Sequence, residues 1–256
     1  MRVAWLSHQF AGPADAPKRP GLLPGRFAGG AEMSTEEMIA QAPAGVEVVR
    51  FRLPRNVPDV SGFDRVVVGA TEHLDVALAD RLVSMRPIYW VRSPQQSWLG
   101  RHFEAARLLV FPSHECAAWH EWLSAPYEVC PAPMDVAVIP RGVAKEDFAL
   151  WSGRDIWHKG RDAAREFAGQ RGWPLVEITD SDRGTVLEAM GRARWFVHLP
   201  QGVIDPCPRT VIEAEIAGCE IITNELCGRV PVRGADAVAE FVAGSAERFW
   251  GWTLEG

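Results

Sequence analysis

The sequence has 256 residues, 47% of them hydrophobic and 23% charged, and carries a net charge of −6. That length fits one large domain or two small ones, and the composition is that of a globular chain without low-complexity tracts. Residues 1–130 hold 13 basic against 14 acidic residues and residues 131–256 hold 14 against 19, so neither half is a basic nucleic-acid module by composition. The local clusters Lys18, Arg19, Arg26 and Arg50, Arg52, Arg55 read as solvated loop charges.

The chain opens on Met1-Arg2-Val3-Ala4-Trp5-Leu6. This run is too short for a signal peptide and reads as a first strand, Val3–Leu6. Further apolar runs predict strands at Val46–Phe51, Arg65–Val68, Pro87–Val91 and Leu108–Phe111, with helical patterns over Ala31–Ala40, Leu74–Leu82 and Glu115–Leu123. Continuous apolar strands separated by helices indicate a parallel sheet covered on both faces. Residues 130–146 contain three prolines and one glycine and read as a crossing segment between domains. The alternation then restarts. Strands are expected at Phe148–Trp151, Leu175–Ile178, Trp195–Leu199 and Glu220–Thr223, and helices at Arg161–Ala168, Thr185–Arg192, Arg209–Ala217 and Ala235–Val242. The expected organisation is a domain over 1–130, a second over 131–245, and a last helical piece, Ala246–Trp252 within 246–256, that packs back across both. Two such units facing one another form a cleft, a usual place for a ligand.

No apolar run reaches the roughly 18 residues needed to span a bilayer, so a cytoplasmic protein is expected. The five cysteines are odd in number and include no C-x-x-C, which argues for reduced thiols and against a disulfide framework or zinc site. The eleven tryptophans are read as core packing, with one or two available to stack on a base or sugar.

Three stretches carry chemistry. The first runs from Asp205 through Cys207-Pro208-Arg209-Thr210 to Glu213-Ala214-Glu215-Ile216-Ala217-Gly218 and reads as a loop, then a helix, then a buried strand. A helix N-terminus offers free N–H groups and a positive dipole end to an anionic ligand, and carboxylates beside it can accept from sugar hydroxyls. The alternative at this point is that Asp205 caps the helix and Glu213 is a surface charge. The second is Ser152-Gly153-Arg154 followed by His158-Lys159-Gly160, where a strand ends in a glycine turn and two cations stand five apart. An arginine fork and a lysine point charge suit the two phosphates of a diphosphate. The third is Gly29-Gly30-Ala31-Glu32, opening the first long helix, where glycines permit close backbone approach to a ligand. No G-x-G-x-x-G follows the first strand, so it is not a dinucleotide fingerprint.

Taken in this order, the three stretches resemble motifs of the retaining GT-B glycosyltransferases of the large sucrose-synthase-like family, in a compact phage or bacterial form. Asp205 stands at the first carboxylate of that family's carboxylate-x7-carboxylate motif and Glu213 at the second, while Cys207-Pro208 replaces its Phe-Gly and Glu215 its Met. The resemblance implies an α/β fold of the GT-B kind, two Rossmann-like domains facing an interdomain cleft. It implies that Arg154 and Lys159 stabilise a leaving diphosphate, that Asp205 binds hydroxyls of the transferred sugar, and that Glu213 binds the ribose, with Thr210 near the phosphates. Gly29 and Gly30 would face the donor. His114 and His8, each at the end of a strand, are further donor-side candidates. Arg92 lies at a strand end where some relatives carry a histidine.

The activity so implied is transfer of a sugar from a nucleotide-diphosphate sugar, such as a UDP-sugar, with retention. No DXD motif is present, so neither metal nor cofactor is expected. The acceptor is by default a glycan, lipid-linked or small-molecule hydroxyl. A modified DNA base of the 5-hydroxymethylpyrimidine type, acted on by a phage-type enzyme, and a protein side chain are alternatives. A nucleotide-sugar epimerase and a non-catalytic nucleotide-sugar-binding module are competing readings.

Overall fold

A computed structural model of the chain describes residues 1–8, 10, 30–53, 59–72, 74–93, 99–120, 123–179 and 181–255. The described residues divide into two compact units, one made of the segment up to Pro133 together with Gly244 onward, the other of Met134–Ala243.

In the first unit, β1 (Arg2–Ser7) is followed by α1 (Gly30–Ala40), β2 (Glu47–Arg52) and β3 (Arg65–Val68). Next come α2 (Val76–Leu82), β4 (Ile88–Trp90), α3 (Gly100–Glu104), β5 (Leu108–Phe111), α4 (His114–Ala118) and β6 (Tyr127–Val129). The six strands are parallel throughout, in the order β2-β1-β3-β4-β5-β6. Alternate side chains go to opposite faces. Val3, Trp5, Val67, Ile88 and Trp90 pack on one side, and Ala4, Leu6, Val66, Val68 and Tyr89 on the other. Burial on both faces is why these strands read as unbroken apolar runs rather than as an alternation.

The second unit contains β7 (Glu146–Ser152), α5 (Arg161–Arg171), β8 (Leu175–Ile178), α6 (Arg183–Arg192), β9 (Ala193–His198), α7 (Arg209–Ile216), β10 (Glu220–Thr223) and α8 (Ala235–Ala243). Its four parallel strands lie in the order β10-β9-β7-β8. Ala149, Trp151 and Val197 pack against Ala164 and Ala168 of α5 on one face. Leu150 and Phe196 pack with α6, α7 and α8 on the other. Lys145, just before β7, donates to the carbonyls of Met190, Gly191 and Ala217 at 2.8–3.0 Å. One ammonium thus satisfies the open carbonyl ends of both α6 and α7, where the helix dipoles favour a cation.

Several boundaries differ from those expected. The sequence pattern misses α3 and β6, which have five and three residues. Elements that short show no measurable period. Helix α4 begins at His114, one residue early, because the Ser113 side chain accepts from the Cys116 amide, and it ends at Ala118 rather than Leu123. Strand β7 begins at Glu146, inside the proline-rich crossing segment, whose own content is a short 3-10 turn at Val136–Val138 capped by Asp135.

The last helix, α9 (Ser245–Leu254), belongs to the first unit. Ala246, Phe249 and Trp250 join the face that holds Trp5 and Trp90. The Trp5 ring lies 5.6 Å from Phe249 and 6.0 Å from Trp250. The indole N–H of Trp250 donates to the carbonyl of Met38 at 2.8 Å, so this buried polar atom is satisfied. Trp250→Ala removes a fully buried indole and that bond. It is expected to destabilise the protein by about 3–5 kcal/mol, read as a lower urea midpoint.

Candidate functional site

In the second unit the chain leaves β7 toward β8 on one side, and from β9 it continues to β10 on the other. The gap between the carboxyl ends of β7 and β9 is therefore the topological switch point, where open parallel sheets bind ligands. The turn after β7 is built tightly into this gap. Gly160 has φ +72, and a Cβ there would stand 1.8 Å from the Leu199 carbonyl oxygen, so only glycine fits. The Gln201 amide donates to the His158 carbonyl at 3.0 Å and the Trp151 indole to the Lys159 carbonyl at 3.2 Å. These bonds fix where Lys159 starts. Trp157, on the same turn, leaves its indole 70% exposed with a ring edge against Gly202.

Lys159 reaches Asp205. Its Nζ lies 2.5 Å from Asp205 Oδ2, and Nε2 of His198, the last residue of β9, lies 2.8 Å from the same oxygen. The Asp205 backbone is held on both sides, its amide donating to Leu226 and its carbonyl accepting from Gly228, each at 2.8 Å. Asp205 is 5% exposed and His198 1%. Burial pushes the Asp205 carboxyl up, but the Lys159 charge and the His198 hydrogen bond outweigh it and hold the group well below the usual carboxylate range.

Glu213 lies one turn into α7 and is 3% exposed. Its Oε1 receives Nε of Arg209 at 2.9 Å and Nε of Arg183, the first residue of α6, at 3.1 Å. The two carboxylates therefore share one design. Each is buried, each has one oxygen held by two cationic or imidazole donors, and the second oxygen of each (Oδ1 of Asp205, Oε2 of Glu213) accepts no hydrogen bond among the described residues. Both features of the bland alternative fail. Glu213 is not a surface charge, and the residue at the N-cap of α7 is Pro208, which supplies no side-chain cap.

The remaining expected site residues are placed as follows. Arg154 is exposed beyond Gly153, and its guanidinium makes no ion pair or hydrogen bond among the described residues. Thr210 is half-buried in the first turn of α7. Thus Lys159 and Asp205 touch directly, whereas Glu213 contacts Arg183 and Arg209. Gly29 lies outside the described residues, and Gly30 opens α1. His114 is exposed at the start of α4, its ring 6.3 Å from that of Tyr127. His8 follows β1, with Nε2 3.5 Å from Glu72. Arg92 is half-buried and ties the start of α1 to the end of β3, donating to the Ala31 and Gly69 carbonyls and to Thr35 Oγ1. Burial pushes its guanidinium down to about 10, still charged at neutral pH. Arg50 pairs with Glu36 at 2.7 Å, while Lys18, Arg19, Arg26 and Arg55 lie outside the described residues.

Sequence reasoning missed His198, Arg183 and Arg209 as partners of the two carboxylates. His198 had a visible signal, a histidine closing the apolar run Trp195-Phe196-Val197. Arg209 had the i,i+4 spacing to Glu213. Arg183, thirty residues from Glu213, had none. Among the described residues no cluster of three or more His, Cys, Asp or Glu could hold a metal ion, and no helix is long and apolar enough to cross a membrane.

No protein-family model matches this sequence, and no curated protein matches it. Solved structures do. AviGT4, a glycosyltransferase involved in avilamycin A biosynthesis, is 16% identical with a TM-score of 0.55, covering 98% of this chain and 93% of its own. HepE from Anabaena, solved with UDP and glucose, is 11% identical with a TM-score of 0.56, covering 100% and 96%. The sucrose-phosphate synthase from Thermosynechococcus elongatus is 12% identical with a TM-score of 0.58, covering 99% and 92%. At these identities the likeness is one of fold, and that fold is GT-B, built on Rossmann-like α/β units.

Two measurements test this description. The folded protein binds the Asp205 proton only well below its ordinary value of 3.8, so Asp205 contributes stability that is complete above about pH 4 and is lost as pH falls further. Asp205→Asn is expected to cost about 3 kcal/mol near pH 7 and to flatten the acid limb of Tm against pH, read by calorimetry. Gly160→Ala, forced against the Leu199 carbonyl, is expected to cost about 2–4 kcal/mol in a denaturant titration.

Proposed function

We propose that the chain is a glycosyltransferase that moves a sugar from a nucleoside-diphosphate sugar to an acceptor hydroxyl, with retention and without a metal. The observation that carries this reading is the pair of buried carboxylates at the switch-point end of the second unit's sheet, each with one oxygen unspent and each fixed by basic groups. Buried anions of this kind bind hydroxyl donors, and the cations beside them bind phosphate. The donor of choice is a UDP-sugar, the class of ligand named for HepE.

The reaction breaks the bond between sugar C1 and a diphosphate oxygen. Negative charge grows on the departing phosphate, and Lys159, the exposed Arg154 and the uncapped first turn of α7 would meet it as preorganised electrostatics. Asp205 Oδ1 would accept from hydroxyls of the transferred sugar, and Glu213 Oε2 from the ribose. The departing phosphate would take the acceptor's proton on the same face, so no protein base is assigned. The acceptor hydroxyl by default belongs to a glycan, a lipid-linked sugar or a small molecule.

In the free protein Lys159 is spent on Asp205. A diphosphate must therefore share or take that ammonium. Asp205→Asn releases it, so this variant is expected to bind UDP about threefold to tenfold more tightly than wild type while losing transfer. The expectation follows from removing one opposing charge close to the phosphate site. Lys159→Ala is expected to lower kcat/KM by about 10²–10³. Calorimetric titration with UDP, GDP and ADP, followed by donor hydrolysis without acceptor in the presence of EDTA, checks both. Absence of hydrolysis with every UDP-, GDP- and ADP-sugar would reduce the protein to a binding module, and absence of nucleotide binding would end the proposal. Proton NMR of the released sugar reads the anomeric configuration.

A further inference from the structure

Glu213 holds more positive charge than its burial requires. One guanidinium neutralises a carboxylate, and Arg209 already supplies it from one turn earlier on the same helix, at 2.9 Å. Arg183 adds a second from a different element, thirty residues away, with Nε at 3.1 Å and Nη2 at 3.0 Å from the same Oε1. The start of α6 does not need Arg183. Asp182 already caps that helix, accepting from the Thr185 amide at 3.0 Å and the Thr185 hydroxyl at 2.8 Å. Nor is Arg183 spent. Its Nη2 is buried and, although close to Oε1, lies outside hydrogen-bonding geometry, so its donors have no partner. Glu213 Oε2 likewise accepts nothing among the described residues.

We infer that Arg183 is a positioning residue for the donor's ribose. It pins Oε1 of Glu213 from across the site, which leaves Oε2 fixed as the acceptor for ribose hydroxyls and makes the site select ribonucleotides over deoxynucleotides. Two guanidiniums from different helices fix the plane of the carboxylate. One from the same helix leaves it free to turn about its last side-chain torsion. The inference rests on the donor reading above, because it takes the ligand of Glu213 to be the nucleotide's ribose.

The test compares binding of the tightest of UDP, GDP and ADP with binding of its 2′,3′-dideoxy counterpart, by calorimetric titration. Loss of the hydroxyls is expected to weaken binding to wild type by at least about tenfold, since hydrogen bonds to a charged acceptor are the stronger kind. In Arg183→Gln that ratio is expected to fall to within about threefold of unity. It should also match the ratio in Glu213→Gln and in the double variant, the mark of one coupled unit. Arg183→Lys keeps the charge but not the fork, and gives an intermediate ratio. It serves in place of Arg183→Gln if melting shows the glutamine variant unfolded. A merely structural or electrostatic role would lower affinity for both nucleotides alike and leave the ratio at the wild-type value, and that result overturns the inference. Wild type that binds no nucleoside diphosphate removes the donor reading and this inference with it. Wild type that binds one, with the ratio unchanged in the Arg183 variants, removes the inference alone.

Discussion

Two carboxylates buried inside a folded unit, each held by basic groups, are the constraint from which the second half of this protein follows. An unpaired buried carboxylate would take up a proton. Asp205 and Glu213 instead carry paired donors, Lys159 with His198 and Arg183 with Arg209. All but Arg209, which shares α7 with Glu213, must arrive from another element at hydrogen-bonding distance, which explains why the loops here are so closely determined. Gly160 has to turn left-handed under Leu199 for Lys159 to reach Asp205, and β9 has to end on a histidine. Positive charge around the carboxylates is thereby supplied in excess, in a chain whose net charge is −6.

The sheet topology chooses the location. Parallel strands send every strand-to-helix turn to the carboxyl edge, and the reversal of strand order opens a gap there. In the second unit that gap receives the turn after β7 and the loop after β9. In the first unit the corresponding gap lies between β1 and β3, where His8 meets Glu72 and Arg92 ties α1 to β3. Lys159, His198 and Asp205 in the second unit, and His8, Glu72 and Arg92 in the first, thus gather at or just beyond strand ends.

Much of this was legible in the residues. The strands Arg65–Val68 and Leu108–Phe111 fall where the apolar runs lie, because burial on both faces leaves no other pattern, and the half-buried edge strands Leu175–Ile178 and Glu220–Thr223 also fall at their short apolar runs. Short elements such as β6 and α3 were not legible, because three or five residues cannot display a period. At the site, the carboxylates and Lys159 stood out through their spacing relative to a strand end and a helix start. Their partners did not. The contact of Arg183 with Glu213 depends on how α6 and α7 pack side by side, which is tertiary information. The union of Lys159 with Asp205 was equally hidden, since sequence shows residue types and not who is already engaged.

The return of α9 to the first unit has a consequence for biosynthesis. Trp5 and Trp90 find their partners Phe249 and Trp250 only in α9, which follows the whole of the second unit in the chain. During synthesis Met134–Ala243 can emerge and close its own core, but the earlier-made sheet must wait with one face only partly covered, by α1, until α9 has been made. The half synthesised first is therefore completed only after the second, and a chain cut before α9 exposes indoles to whatever holds nascent chains.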